Sequence, residues 1–276
     1  MLTDITDTIE LANGVTMPRL GLGTYKSAEG GDAERSVTAA LEFGYRSIDT
    51  ASLYGNEAGI GAAIAASGVP RSELFLTSKM WNDEQGFDTT LSAFERSLAR
   101  LGTSYLDLYL VHWPREQTHD TWRALERLYA EGAVRAIGVC NHLEHHLEAL
   151  LAVADVPPMI DQYEFHPWLQ QPSLRAYCQS HGIVVEAWAP LMKGRVAEVP
   201  ELVAIAAAHG KTPAQVAVRW LLQLDVVTIP KSVHAGRIAE NADVFDFALT
   251  PAEMATIASL DRGYRFGPEP DRGGER

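Results

Sequence analysis

Short apolar runs alternate with longer stretches whose apolar residues recur at helical spacing along nearly the whole chain. A short apolar run bounded by turn signals fits a buried strand, and apolar positions three and four apart fit an amphipathic helix. On that basis strands are predicted near 19–23, 46–50, 74–79, 106–112, 134–139, 159–163, 183–187 and 226–229. Helices are predicted between them, near 32–43, 57–67, 88–100, 120–131, 143–152, 172–181, 199–209 and 213–223. Two more follow the eighth strand, near 235–241 and 251–260. Strands alternating with helices predict a parallel sheet, and eight of them close a barrel. The expected fold class is therefore α/β, a (β/α)8 TIM barrel. Ahead of it, Thr8-Ile-Glu-Leu-Ala-Asn-Gly-Val-Thr-Met17 places an Asn13-Gly14 step between apolar alternations, which predicts a β-hairpin cap.

The punctuation agrees with the periodicity. Thr212-Pro213 and Thr250-Pro251-Ala252-Glu253 read as helix N-caps with proline at the first helical position, the second with glutamate placed for a capping box. Gly68, Gly102, Gly132, Gly182 and Gly210 each follow a predicted helix, where a left-handed closing residue is favoured. From Arg262 onward the chain is rich in glycine, proline and charge, and is expected to form a loop over the barrel mouth. No Ser/Gly tract, proline-rich run or charge block divides the chain. Its 276 residues are close to the ~250 of one barrel, so residues 1–276 are expected to form a single domain.

Composition removes several classes. A net charge of −13 argues against non-specific nucleic-acid binding, which needs basic surface. No apolar run approaches the ~18 residues of a membrane span. The start, Met1-Leu-Thr-Asp-Ile-Thr-Asp7, is acidic and lacks the form of a signal peptide. Cys140 and Cys178 are too few for a disulfide framework and lack a CxxC partner, so they read as buried thiols in a reducing cytoplasm. With no coiled-coil heptads and no long unpaired edge, a monomer is expected.

Four polar residues then stand out. Asp49, Lys79 and His112 each end a predicted strand, and Tyr54 follows Asp49 by five residues. The C-terminal ends of parallel barrel strands meet at one mouth, so the four are expected to share a site. A lone lysine at a strand end usually snorkels to water, and a lone histidine is usually satisfied by backbone groups. Together the four suit proton donation from a tyrosine whose pKa the lysine lowers, with Asp49 holding the ammonium. A neutral His112 can orient a carbonyl by one hydrogen bond.

These residues sit in a wider set: Gly21-Leu-Gly-Thr-Tyr25, Ile48-Asp-Thr-Ala-Ser-Leu-Tyr-Gly-Asn-Glu57, Thr77-Ser-Lys79, Asp107-Leu-Tyr-Leu-Val-His-Trp-Pro114, Ile137-Gly-Val-Cys-Asn141, Gln162 and Ile229-Pro-Lys-Ser232. In that order and over that length the chain resembles the aldo-keto reductase family. Gly55-Asn-Glu-Ala-Gly-Ile-Gly-Ala-Ala-Ile-Ala-Ala-Ser-Gly68 and Asp243-Val-Phe-Asp-Phe247 are similar to its bacterial 2,5-diketo-D-gluconate reductase-like branch. The resemblance implies an oxidoreductase acting on CH-OH donors with NADP as acceptor. It would reduce aldehydes and ketones by hydride transfer with Tyr54 as general acid, Lys79 and Asp49 tuning it and His112 orienting the carbonyl.

The resemblance also implies NADPH bound over the mouth without a Rossmann domain. Gly21-Leu-Gly23 is a lone Gly-x-Gly with Lys26 where a third glycine would be needed. Trp188 would stack on the nicotinamide, and Asn141 and Gln162 would bond its carboxamide. Lys231, Ser232 and Arg237 would hold the 2′-phosphate, and Glu240 and Asn241 the adenine. Thr24, Tyr25, Asp49, Leu191, Ala214, Ile229 and Val233 complete the expected cofactor set. Three residues depart from the family pattern: Cys140 and Asp161, where serine and asparagine are expected, and His234, where arginine is common. Less fixed charge at 234 leaves NADH use open. Tyr25, Trp81 and Trp113, with His112, are expected to rim a pocket for a small carbonyl such as a keto-sugar acid or methylglyoxal. No metal is expected: His142-Leu-Glu-His-His146 offers half a ligand set and reads as a solvated helix face. His166-Pro167 reads as a turn. Two other classes stay open, a cofactor-sensing binding protein such as the potassium-channel β-subunits that resemble this family, and a barrel hydrolase or isomerase.

Overall fold

The computed structural model describes residues 2–274. Its centre is a barrel of eight parallel strands: β3 (Leu22–Gly23), β4 (Ser47–Asp49), β5 (Phe75–Met80), β6 (Leu106–Val111), β7 (Val134–Cys140), β8 (Ile160–Glu164), β9 (Val184–Trp188) and β10 (Val227–Thr228). Seven lie in sequence order from β3, and β10 returns beside it through the bridges Leu20↔Thr228 and Gly23↔Lys231. The middle strands are buried along their whole length, as near-continuous apolar runs covered on both faces should be.

Helices α1 (Asp32–Glu42), α2 (Glu57–Ala66), α3 (Phe87–Leu101), α4 (Thr118–Ala130), α5 (Glu144–Leu151), α6 (Pro172–Ser180), α7 (Pro200–His209), α8 (Pro213–Gln223), α9 (Ala235–Ala242) and α10 (Pro251–Ala258) surround it. In α3 the buried residues Thr90, Ala93, Phe94, Ser97 and Leu101 fall three and four apart, on one face. The helix stops at Gly102, whose φ of 65° is left-handed. Both threonine caps form: the Thr212 hydroxyl accepts from Gln215 N, and Thr250 and Glu253 exchange reciprocal bonds.

The first and eighth strands are shorter than the apolar runs suggest, two residues each against 19–23 and 226–229. Pro230 has no N–H to donate, so the seam between these strands breaks into isolated bonds, Gly21 N to Thr228 O and Gly23 N to Pro230 O. Close approach explains Gly23. A Cβ there would lie 2.6 Å from Ile229 O, so the Gly-x-Gly belongs to the barrel wall rather than to a phosphate cradle.

The hairpin pairs β1 (Thr8–Glu10) with β2 (Thr16–Pro18), antiparallel. Leu11 N bonds Val15 O, and Gly14 closes the loop at φ 82°. Asn13 Nδ2 donates to Arg135 O, at the entry of β7. The hairpin therefore covers the end of the barrel opposite the mouth. At that end Asp107, wholly buried, accepts from Arg71, Arg135 and Leu76 N, and ties β5, β6 and β7 together. The tail crosses the other end, as expected from its composition.

Candidate active site

The C-terminal ends of the strands open on a groove of about 1460 Å³. That exceeds the ~300–1,000 Å³ of a single drug-sized ligand and suits a large ligand beside a small one. Of the residues expected to bind cofactor or substrate, all but Val233 line it. Lys79 lies behind the lining, wholly buried, so it does not snorkel.

Lys79 Nζ donates to Asp49 Oδ1 at 2.6 Å and to Thr50 O at 2.8 Å, and lies 3.4 Å from the Tyr54 hydroxyl. Burial alone would lower the lysine pKa, but the Asp49 carboxylate beside it outweighs that and holds the ammonium. Tyr54 is placed by a single 3-10 turn, Ser52–Tyr54, which Gly55 ends in the left-handed region. Asn56 anchors this loop through bonds to Thr24 O and Ser27 O, both 3.0 Å.

Lys79 does pull the tyrosine pKa down, as expected, but the net direction is up. Burial raises the Tyr54 pKa most. The ammonium pulls it down, and the Asp49 carboxylate offsets part of that pull. The phenol therefore keeps its proton at neutral pH and is an acid rather than a phenolate. His112 meets it edge-on, ring centroids 5.7 Å apart, and packs against Trp81 at 5.0 Å. Burial first, then the Lys79 charge, holds the His112 pKa well below the usual histidine value, so the imidazole is neutral.

Beside these four is a fixed amide pair. Gln162 Nε2 donates to Asp49 Oδ2 at 2.8 Å and to Glu186 Oε2 at 2.7 Å. Two carboxyl acceptors settle which end of that amide is nitrogen. Its oxygen instead receives the Cys140 thiol, at 3.8 Å. Cys140 thus keeps a weak donor where the family has a hydroxyl. Asn141 sits at φ 59°, accepts from Trp188 Nε1 at 2.9 Å and donates to His112 O at 3.0 Å. Asp161 lies outside the groove lining, buried in the barrel wall with His142 N at 3.4 Å.

Among the described residues five cations, Lys26, Lys193, Lys231, Arg237 and Arg272, line the groove with three acids, Asp49, Glu240 and Glu269. In a chain of net charge −13 this local excess favours an anionic ligand. Lys231 and Arg237 flank the start of α9. The Ser232 hydroxyl is already engaged there, accepting from His234 N at 3.1 Å. Glu240 accepts from Thr212. His234 is exposed and outside the groove lining.

Sequence reasoning missed the residues that hold the tail. Glu164, buried at the end of β8, accepts from Phe266 N and Gly267 N at 2.7 and 3.0 Å and bonds His166. Lys193 Nζ donates to Phe266 O. It also missed Glu186, an acid inside the apolar run Val184-Val-Glu-Ala-Trp188. Burial, then the Asp49 charge, pushes the Glu186 pKa up to about 8. In both cases the available signal was a charged residue at a strand position facing the barrel interior.

The histidine cluster also needs correction. His142 is buried, its Nδ1 bonding Cys140 O, and only His145 is fully exposed. His145 and His146 meet Asp271 of the tail at 3.0 and 3.4 Å. His146 Nδ1 accepts the Leu143 N–H, which puts the ring proton on Nε2, facing Asp271. A metal ligand needs a lone pair on that nitrogen, so the trio reads as a latch between α5 and the tail.

The profile of the Aldo/keto reductase family matches residues 19–262. Glyoxal reductase of Bacillus subtilis (strain 168) is 55% identical over 272 residues, covering 98% of this chain and 99% of that one. The crystal structure of MGS-M4, an aldo-keto reductase from a deep-sea metagenome, superposes with a TM-score of 0.94 at 46% identity, covering 95% and 98% of the two chains. A variant of Gox0644 in complex with NADPH superposes with a TM-score of 0.91 at 43% identity, covering 96% and 98%.

Proposed function

Starting from the fact that this chain belongs to the aldo/keto reductase family, we propose that it reduces small aldehydes and α-dicarbonyls with NADPH, Tyr54 giving the proton. One observation carries the reading. Lys79 Nζ sits between the Asp49 carboxylate and the Tyr54 hydroxyl, at the inner end of a groove whose outer part is cationic.

The groove fits the dinucleotide. Trp188 presents a flat ring with the Asn141 amide beside it, Gln162 lines the same groove, and Lys231 and Arg237 suit a phosphate. Bound there, the reduced nicotinamide supplies the hydride. His112, neutral and at the mouth, orients the carbonyl by a hydrogen bond. Tyr54 gives its proton to the oxygen as negative charge develops there. Lys79 stabilises the phenolate that remains, and Asp49 keeps the ammonium in place. Tyr25, Trp81 and Trp113 close an apolar rim, which favours a compact substrate. The glyoxal reductase relative points to small dicarbonyls within that class, and methylglyoxal and keto-sugar acids belong in the same trial. Lys231 and Arg237 favour NADPH, while histidine in place of arginine at 234 leaves less fixed charge for the phosphate, so NADH is expected to be accepted as well, more weakly.

The test is initial rates of NADPH consumption with glyoxal, methylglyoxal, aromatic aldehydes and keto-sugar acids, with NADH in parallel. Turnover favouring NADPH supports the reading. No turnover with either nucleotide sinks it, and a preference for NADH removes the role given to Lys231 and Arg237.

A further inference from the structure

We propose that Glu186 is a positioning residue: a second buried carboxyl that shares the Gln162 amide with Asp49, carries a proton while the site works, and slows proton donation when it ionises. This rests on the reading of Tyr54 as the proton donor.

Glu186 is register partner to Gln162 across β8 and β9 and is wholly buried. One amide nitrogen donates one N–H to each acid, at 2.8 Å to Asp49 and 2.7 Å to Glu186. The groups that bear on this carboxyl are Asp49 from β4, Lys79 from β5, Cys140 from β7 and Gln162 from β8. Val227 of β10, its other register partner, is uncharged.

Two acids therefore face one ammonium. Asp49 holds it directly, and Lys79 spends its remaining contacts on Thr50 O and Tyr54. A second carboxylate in the same dry interior has no cation of its own and is far more stable protonated. The raised Glu186 pKa, from burial and the Asp49 charge, agrees. Protonated, the carboxyl accepts through Oε2 and leaves its proton on Oε1, which has no hydrogen-bond partner among the described residues. Gln162 is then held from both sides by its nitrogen, with its carbonyl accepting the Cys140 thiol. Ionised, Glu186 adds a negative charge beside Asp49. That charge raises the Tyr54 pKa further and weakens it as an acid.

The experiment compares wild type, Glu186→Gln and Glu186→Ala. Infrared difference spectra follow the protonated-carboxyl C=O stretch, and kcat/KM with NADPH and glyoxal is measured across pH. The wild type is expected to show the stretch at neutral pH and to lose it around pH 8, together with an alkaline fall in kcat/KM. Glu186→Gln, nearly isosteric and never ionised, is expected to lack both the band and the alkaline limb. Glu186→Ala is expected to lower kcat/KM about tenfold at neutral pH, because Gln162 loses an anchor worth about one hydrogen bond. A merely structural Glu186 would leave the limb in Glu186→Gln, and that result overturns the proposal. So does a wild type without the band at neutral pH. The band needs no turnover, so an inactive wild type that still shows it counts against the Tyr54 reading and not against a protonated Glu186.

Discussion

Lys79 shows how much one residue depends on its neighbours. By itself a lysine ending an apolar strand predicts a side chain reaching water. Here it is sealed in the barrel because Asp49, Thr50 and Tyr54 occupy its donors. Removing it strands Asp49 without a cation, and breaking a buried pair from one side costs ~3–5 kcal/mol. Lys79→Met is accordingly expected to lose stability on that scale in urea unfolding and to lose turnover. Lys79→Met combined with Asp49→Asn should regain part of the stability and none of the rate. Full stability in the single variant would show that the pair is not buried as described.

The positions of Asp49, Tyr54, Lys79 and His112 were legible, because strand ends can be counted from the hydrophobic pattern. The net direction of the Tyr54 pKa shift was not. Its pKa is a balance of burial against two opposite charges, and burial is fixed by residues far away in sequence.

At the scale of elements, the strap from Phe266 to Gly274 was legible as a loop from its glycines and prolines, but its fastening was not. The two amides held by Glu164, the Lys193 bond to Phe266 O and the Asp271 latch all depend on contacts between distant segments. Gly267 is the tight point: a Cβ there would lie 2.4 Å from Trp188 Cη2. Gly267→Ala should push the strap or the tryptophan aside and raise the KM for NADPH more than it lowers kcat, as read from initial rates. An unchanged KM would mean that the strap does not constrain Trp188. The seam at Pro230 shows the same limit. Periodicity found both closing strands, and the missing proline N–H shortened their ladder.

The molecule as a whole carries its stability-linked histidines inside. Burial lowers the His142 pKa to about 3 and holds His112 well below the usual value. An unfolded histidine titrates near ~6.5, so below that pH the unfolded chain binds more protons. The contribution of these imidazoles is complete above about pH 6.5 and is lost as pH falls toward their folded values. In urea unfolding, the advantage of wild type over His142→Asn should shrink by about 1.4 kcal/mol for each pH unit below ~6.5. A constant difference would mean that His142 is solvated. Glu186 works in the opposite sense. Its raised pKa gives a contribution that is present below ~4.3 and lost as pH rises through about 8.

The barrel, its hairpin and the mouth were readable from the chain because each follows from local pattern and strand count. Of the groove's cations Lys231 and Arg237 were legible, but Lys26, Lys193 and Arg272 were not, since they come from separate segments.

The central claim is that Tyr54 is the acid of a carbonyl reduction. The measurement is a side-by-side comparison of wild type and Tyr54→Phe, recording NADPH oxidation with glyoxal and NADPH binding by quenching of tryptophan fluorescence. The account predicts that turnover falls at least ~100-fold while the Kd for NADPH is unchanged. Equal turnover in the two proteins would contradict it.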